Sequence, residues 1–174
     1  MPRAYLLVVL LASFCLPLPL SAQTGHATSI RKAMVGSWKL VSYVGEDVSS
    51  GAKSDVMGGH PSGYINYGGD GRMIVLIVGT DRKKPASTVA TPAEAEALIR
   101  SMLAYAGTYT LDTAKKTVTH HIEVSWDQSR TGTDVVRTYK FEGDRLILTT
   151  EPSTDPASGK KTVRTLVWER VKPN

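Results

Sequence analysis

The sequence predicts a mainly β fold, an antiparallel up-and-down barrel of about eight strands with one amphipathic helix packed on it. Three observations predict it. Short runs rich in β-branched and aromatic residues recur from Ser37 to Arg170 with turn residues between them. Consecutive runs lie close in sequence, which favours a meander, and a meander of this size closes on itself and leaves no edge unpaired. Only one segment carries apolar residues at three- and four-residue spacing behind a helix-starting motif.

The 174-residue chain opens with the three-part layout of a secretory leader. Arg3 is the positive end, Tyr5 to Leu16 the apolar run, Pro17 and Pro19 the breakers, and Ser21-Ala22 the small-residue cleavage site. The run is shorter than the roughly 20 residues of a membrane span, so the expectation is an exported chain, periplasmic or secreted, without stable membrane insertion. Cys15, the one cysteine, follows Phe14, where a lipid-modified cysteine would follow a small residue. Cleavage near Ala22 then leaves no cysteine, and the fold stands without a disulfide in an oxidising compartment. Roughly 150 residues bury one core without such a staple. The organisation expected is a leader over 1–22, a linker and short helix over 23–34, and a barrel domain over 35–172.

Ser37 to Val44 reads as the first strand, and Glu46 to Ser62, with Gly51, Gly58, Gly59 and Pro61, as a long loop. Gly63–Tyr67 and Arg72–Val78 flank Gly68-Gly69-Asp70-Gly71, which is a hairpin signal. The second of these strands is apolar on both faces and calls for a cover. The helix supplies it: Thr91-Pro92-Ala93-Glu94 is a capping box with proline at the first turn, and Ala95, Leu98, Ile99, Met102, Leu103 and Ala106 form one stripe that ends at Gly107. Strands follow at Thr108–Leu111, Thr117–Trp126, Asp134–Glu142, Arg145–Thr150 and Thr162–Arg170.

The net charge of +5 is spread along the chain, with one dense patch at Arg82-Lys83-Lys84. A nucleic-acid binder concentrates its charge on one face with aromatics between, so no nucleic-acid partner is expected.

Period-two alternation sorts the strand faces, provided that no bulge intervenes. Val118, His120, Ile122, Val124 and Trp126 share the apolar face of one strand, and Val135, Arg137, Tyr139 and Phe141 that of another. Trp38, Leu40, Tyr109, Leu166 and Trp168 sort inward in the same way. An apolar interior with a few convergent polar groups is the usual form of a small-molecule site. The candidate lining is therefore His120, Arg137, Tyr139, Trp126, Tyr109 and Ile122. His120 can equally be a hydrogen-bonded core residue. Arg137 weighs more towards a ligand, because a guanidinium is costly to bury without an anionic or π partner.

Catalytic motifs are missing: there is no nucleophile elbow, phosphate loop, zinc-binding helix or cysteine nucleophile in the barrel. His121 and Glu123 share an outward face, but two ligands leave a metal short of its coordination, so neither metal nor cofactor is expected. His60 reads as a loop residue or, alternatively, as an acid–base group closing over the mouth.

Gly36-Ser37-Trp38 before the first strand resembles the lipocalin G-x-W signature. The closer similarity is to the bacterial and fungal lipocalin-like domain family, a calycin-type barrel. It is carried by Gly36–Ser42, Gly63–Gly71, Tyr105–Asp112, Thr117–His121 and Leu166–Arg170. The resemblance implies an eight-stranded barrel and the carriage of a small hydrophobic or amphipathic molecule. It also implies that Trp38 stacks with Arg164 or Arg170 as a structural plug at the closed end. The lack of a disulfide and the mid-chain helix depart from typical lipocalins. Three functions follow as expectations. The first is binding of a small, mainly hydrophobic ligand in the barrel. The second is a cofactor-free isomerase, cyclase or hydrolase using His120 with Tyr109 or Tyr139. The third is a filled barrel that acts through its surface loops.

Overall fold

The computed structural model describes residues 20–155 and 158–172. The leader expected over 1–22, Cys15 included, lies outside these residues except for its last three positions. Those begin α1 (Leu20–Met34), one continuous helix where a linker and a shorter helix were expected.

Ten strands follow: β1 (Gly36–Asp47), β2 (Lys53–Asp55), β3 (Ser62–Tyr67), β4 (Arg72–Val78), β5 (Met102–Asp112), β6 (Thr117–Ser125), β7 (Asp134–Glu142), β8 (Arg145–Thr150), β9 (Ser153–Thr154) and β10 (Lys161–Arg170). Eight of them close a barrel in the order β1-β3-β4-β5-β6-β7-β8-β10, sealed by antiparallel pairing of β1 with β10 from Trp38↔Arg170 to Asp47↔Thr162. The short β2 and β9 extend β1 and β10 at the open end. Closure removes every free edge from the barrel strands.

Inward positions alternate as the pattern predicts, and they form one core that includes Trp38, Ile65, Tyr67, Val75, Ile77, Tyr105, Val118, Leu146, Leu148 and Trp168. Two bulges break the alternation. In β1, Leu40 faces Trp168 and Ser42 faces Val167, so Val41 is the extra residue and Tyr43, not Ser42, turns inward. In β6, Ile122 faces Gly107 and Val124 faces Ala106, so Glu123 is the extra residue. Everything after it changes side. Val124 is exposed and Trp126 lies outside, a correction to the inward placement expected for both. Gly107 is required at this bulge, because a Cβ there would stand 1.9 Å from the His121 carbonyl oxygen and 2.9 Å from Glu123 N.

The mid-chain helix is shorter than its apolar stripe. α2 spans Pro92–Arg100 and begins with the expected capping box, with Thr91 and Glu94 each satisfying the other's backbone N–H. It stops at Ser101, and Met102, Leu103 and Ala106 belong to β5. The reason is tertiary: Met102–Ala106 pair with Ile74–Val78, which would otherwise leave β4 an open edge. Leu103, Tyr105, Gly107 and Tyr109 alternate inward along the extended strand. No residue of α2 is buried, so the outward side chains of β4, Ile74 and Leu76, stay half exposed. The helix that packs against the core is α1, through Ile30 and the fully buried Met34.

Candidate functional site

The two ends of the barrel differ in kind. At the α1 end, Arg170 holds its guanidinium 4.0 Å from the centre of the Trp38 ring and donates to the carbonyls of Val35 (3.0 Å) and Ala33, while Trp38 Nε1 donates to the Met34 carbonyl at 3.0 Å. The last carbonyls of α1 therefore receive donors and a positive charge, which suits a helix C-terminus. Gly36 fits beneath because it takes φ +132° and because a Cβ would stand 2.8 Å from Arg170 Nη1. Arg164 lies at the other end of β10 and takes no part in this stack.

Halfway along the barrel, β6 and β7 bring His120 and Arg137 together. Both side chains are buried: His120 is 0% exposed and Arg137 6%. Arg137 Nη1 lies 3.2 Å from His120 Nδ1. A guanidinium only donates, so Nδ1 accepts and the ring proton sits on Nε2. Nε2 then donates to the Tyr67 hydroxyl at 2.7 Å, and the Tyr105 hydroxyl donates to Nδ1 at 2.8 Å. Burial, reinforced by the positive charge of Arg137, holds the imidazole well below its ordinary pKa, so His120 is neutral at pH 7. Among the described residues no carboxylate pairs with Arg137.

A cavity of about 10 Å³ adjoins this cluster, lined by His120, Arg137, Tyr105, Tyr43 and Trp168 among others. That is room for about one water molecule, against the roughly 300 Å³ or more of a pocket for a drug-sized ligand. Trp168 Nε1 is buried without a hydrogen-bond partner among the described residues. An orphaned buried donor costs about 1–3 kcal/mol.

Space for a larger body lies above. At the open end a hollow of about 360 Å³ shares Tyr43, Leu103 and Arg137 with the inner cavity and is walled by Arg130, Val135, Thr150, Pro152 and Arg164. Arg164 pairs with Asp155 at 2.6 Å, and Arg130 lies 5.5 Å from the Tyr105 ring centre. Asp134 and Glu151 contribute negative charge to the rim, and Asp134 is engaged by His121 Nδ1 at 2.7 Å. Burial raises the pKa of Tyr43, and Arg164, Arg137 and Arg130 act on it in the opposite direction, so three guanidinium charges converge at this mouth. A hollow of about 430 Å³ between α2 and residues 80–83 has no buried polar group in its wall.

The other expected site residues are dispersed. Tyr109 donates to the Gly68 carbonyl at 2.9 Å and packs edge-on against Tyr67, and Tyr139 sits 5.7 Å from Phe141 near the closed end. Neither bonds to His120. The tyrosines that do are Tyr67 and Tyr105: the hairpin signal gives Tyr67 no face, and helical spacing places Tyr105 in the expected helix. Ile122 is buried core, whereas Trp126 lines a shallow outer hollow with Ile74, Leu76 and Val124. His121 is held by Thr110 and Asp134, Glu123 pairs with Arg72, and His60 is an exposed loop residue.

A closed antiparallel barrel, plugged at one end and open at the other above a buried arginine, defines a calycin-type domain whose fold suits a small ligand. The family model of the lipocalin-like domain matches residues 35–171, and the chain belongs to that family. A search of the curated proteins gives no match.

Proposed function

We propose that this protein is an exported binding protein for a small, mainly hydrophobic or amphipathic molecule that presents an acidic head to Arg137 at the open end of the barrel. The observation that carries this reading is the guanidinium of Arg137, 6% exposed, without a carboxylate partner among the described residues, at the floor of the 360 Å³ hollow. A buried charge is costly unless something compensates it, and a ligand anion would. Leu103, Val135 and Tyr43 offer the apolar body a partly buried wall. Export rests on the leader pattern of residues 1–22.

The acid–base alternative lacks supporting geometry. Both nitrogens of His120 are engaged, the cavity that it lines holds about one water-sized group, and Tyr109 and Tyr139 are elsewhere. Native mass spectrometry of protein purified from its own source tests the binding reading. The expected result is an adduct of an acidic small molecule that Arg137→Met loses. A spectrum free of adducts, together with no binding of decanoate by calorimetry, would refute it and favour a barrel acting through its loops.

A further inference from the structure

We infer that Trp168 Nε1 and the Arg137 guanidinium form a two-donor socket for one deprotonated oxygen, so that the ligand is a carboxylate or phenolate whose charged atom descends into the inner cavity while its body stays in the hollow above. This rests on the binding reading just proposed and specifies its chemistry.

The inner cavity admits about one water-sized group at 10 Å³. A whole aliphatic chain does not fit there, but a single oxygen does. Two polar groups of its wall, Arg137 and Trp168, are donors only, whereas the Tyr43 and Tyr105 hydroxyls can donate or accept. Arg137 can only donate, and it spends one N–H on His120 Nδ1. Trp168 Nε1–H is also donor only, 1% exposed and unpartnered among the described residues. Tyr105 directs its proton to the same Nδ1, which fills the acceptor side of the imidazole. An ammonium arriving there would meet the like charge of the Arg137 guanidinium, which repels it. An anionic oxygen would satisfy Trp168 and Arg137 together. The contrast with Trp38 is informative, since its indole N–H is already bonded to the Met34 carbonyl.

The test uses decanoate, decylamine and methyl decanoate as probes on the chain beginning at Gln23. Indole N–H resonances are followed in ¹⁵N-labelled protein and affinities are measured by calorimetry. Decanoate should move the Trp168 resonance downfield and leave that of Trp38 in place, and decylamine should not bind. Trp168→Phe should weaken decanoate about 10-fold, the share of one hydrogen bond to a charged group. The resonance shift is read in the unmutated protein and stands even if the variant folds poorly. If decanoate binds in an Arg137-dependent way while the Trp168 resonance does not move, the socket is overturned and the binding reading survives. Equal affinity for decylamine also overturns the socket. If no probe binds and Arg137→Met changes nothing, the binding reading itself fails.

Discussion

Replacing Arg137 by methionine should make the ligand-free protein more stable. The guanidinium is 6% exposed and has no carboxylate partner among the described residues. The effective penalty for burying such an ion is several kcal/mol even after relaxation. What the substitution removes is one long hydrogen bond, Nη1 to His120 Nδ1 at 3.2 Å, worth about 1–2 kcal/mol. His120 is not orphaned, because the Tyr105 hydroxyl still donates to the same nitrogen at 2.8 Å. Methionine follows the aliphatic stem of arginine and is flexible enough to fill the space near the small cavity. The balance favours the variant by about 1–3 kcal/mol, within the range seen when buried ionic groups give way to apolar ones. Urea unfolding at pH 7.5 of protein freed of ligand by denaturation and refolding should show a midpoint raised by roughly 0.5–1.5 M at an unchanged slope. A midpoint lowered by an equivalent of about 1 kcal/mol or more would refute the reasoning: Arg137 would then be compensated within the fold and would not be waiting for a ligand.

Three further outcomes follow from the same geometry. The folded-state pKa of His120 is depressed, so the unfolded chain takes up a proton first as pH falls below about 6.5; stability is full above that value and should decline progressively as pH falls below it, a dependence that His120→Phe weakens and that urea titrations at pH 7.5 and pH 5 measure. Gly107→Ala should cost about 3 kcal/mol or more in thermal or urea unfolding, because its Cβ would collide with backbone atoms that a strand ladder holds in place; a loss below about 1 kcal/mol would show that the bulge can move. Leu98→Ala should cost less than about 1 kcal/mol, since α2 buries no residue, and a loss of 2–5 kcal/mol by the same assay would mean that the helix packs as a core element.

The barrel was legible in the sequence because its determinants are local. Alternation in Thr117–Ile122 and in Asp134–Glu142, the glycines around Asp70 and the short turns declare strands and their order, and order together with number compels closure. The inward faces of His120 and Arg137 were legible for the same reason, since no bulge lies between each and the start of its strand. What the sequence could not settle were features that depend on a partner strand. Glu123 bulges only because β5 places Gly107 opposite it, and that one residue moved Trp126 from lumen to surface. Met102–Ala106 satisfies helical spacing, yet it is a strand because β4 needs its hydrogen bonds. The convergence of Arg130, Arg137 and Arg164 on one mouth, from a short 3-10 helix (Gln128–Arg130), β7 and β10, likewise exists only once the barrel has closed. Periodicity records which face a residue prefers, whereas register and closure decide which residues meet, and those are long-range pairings that no window of the sequence contains.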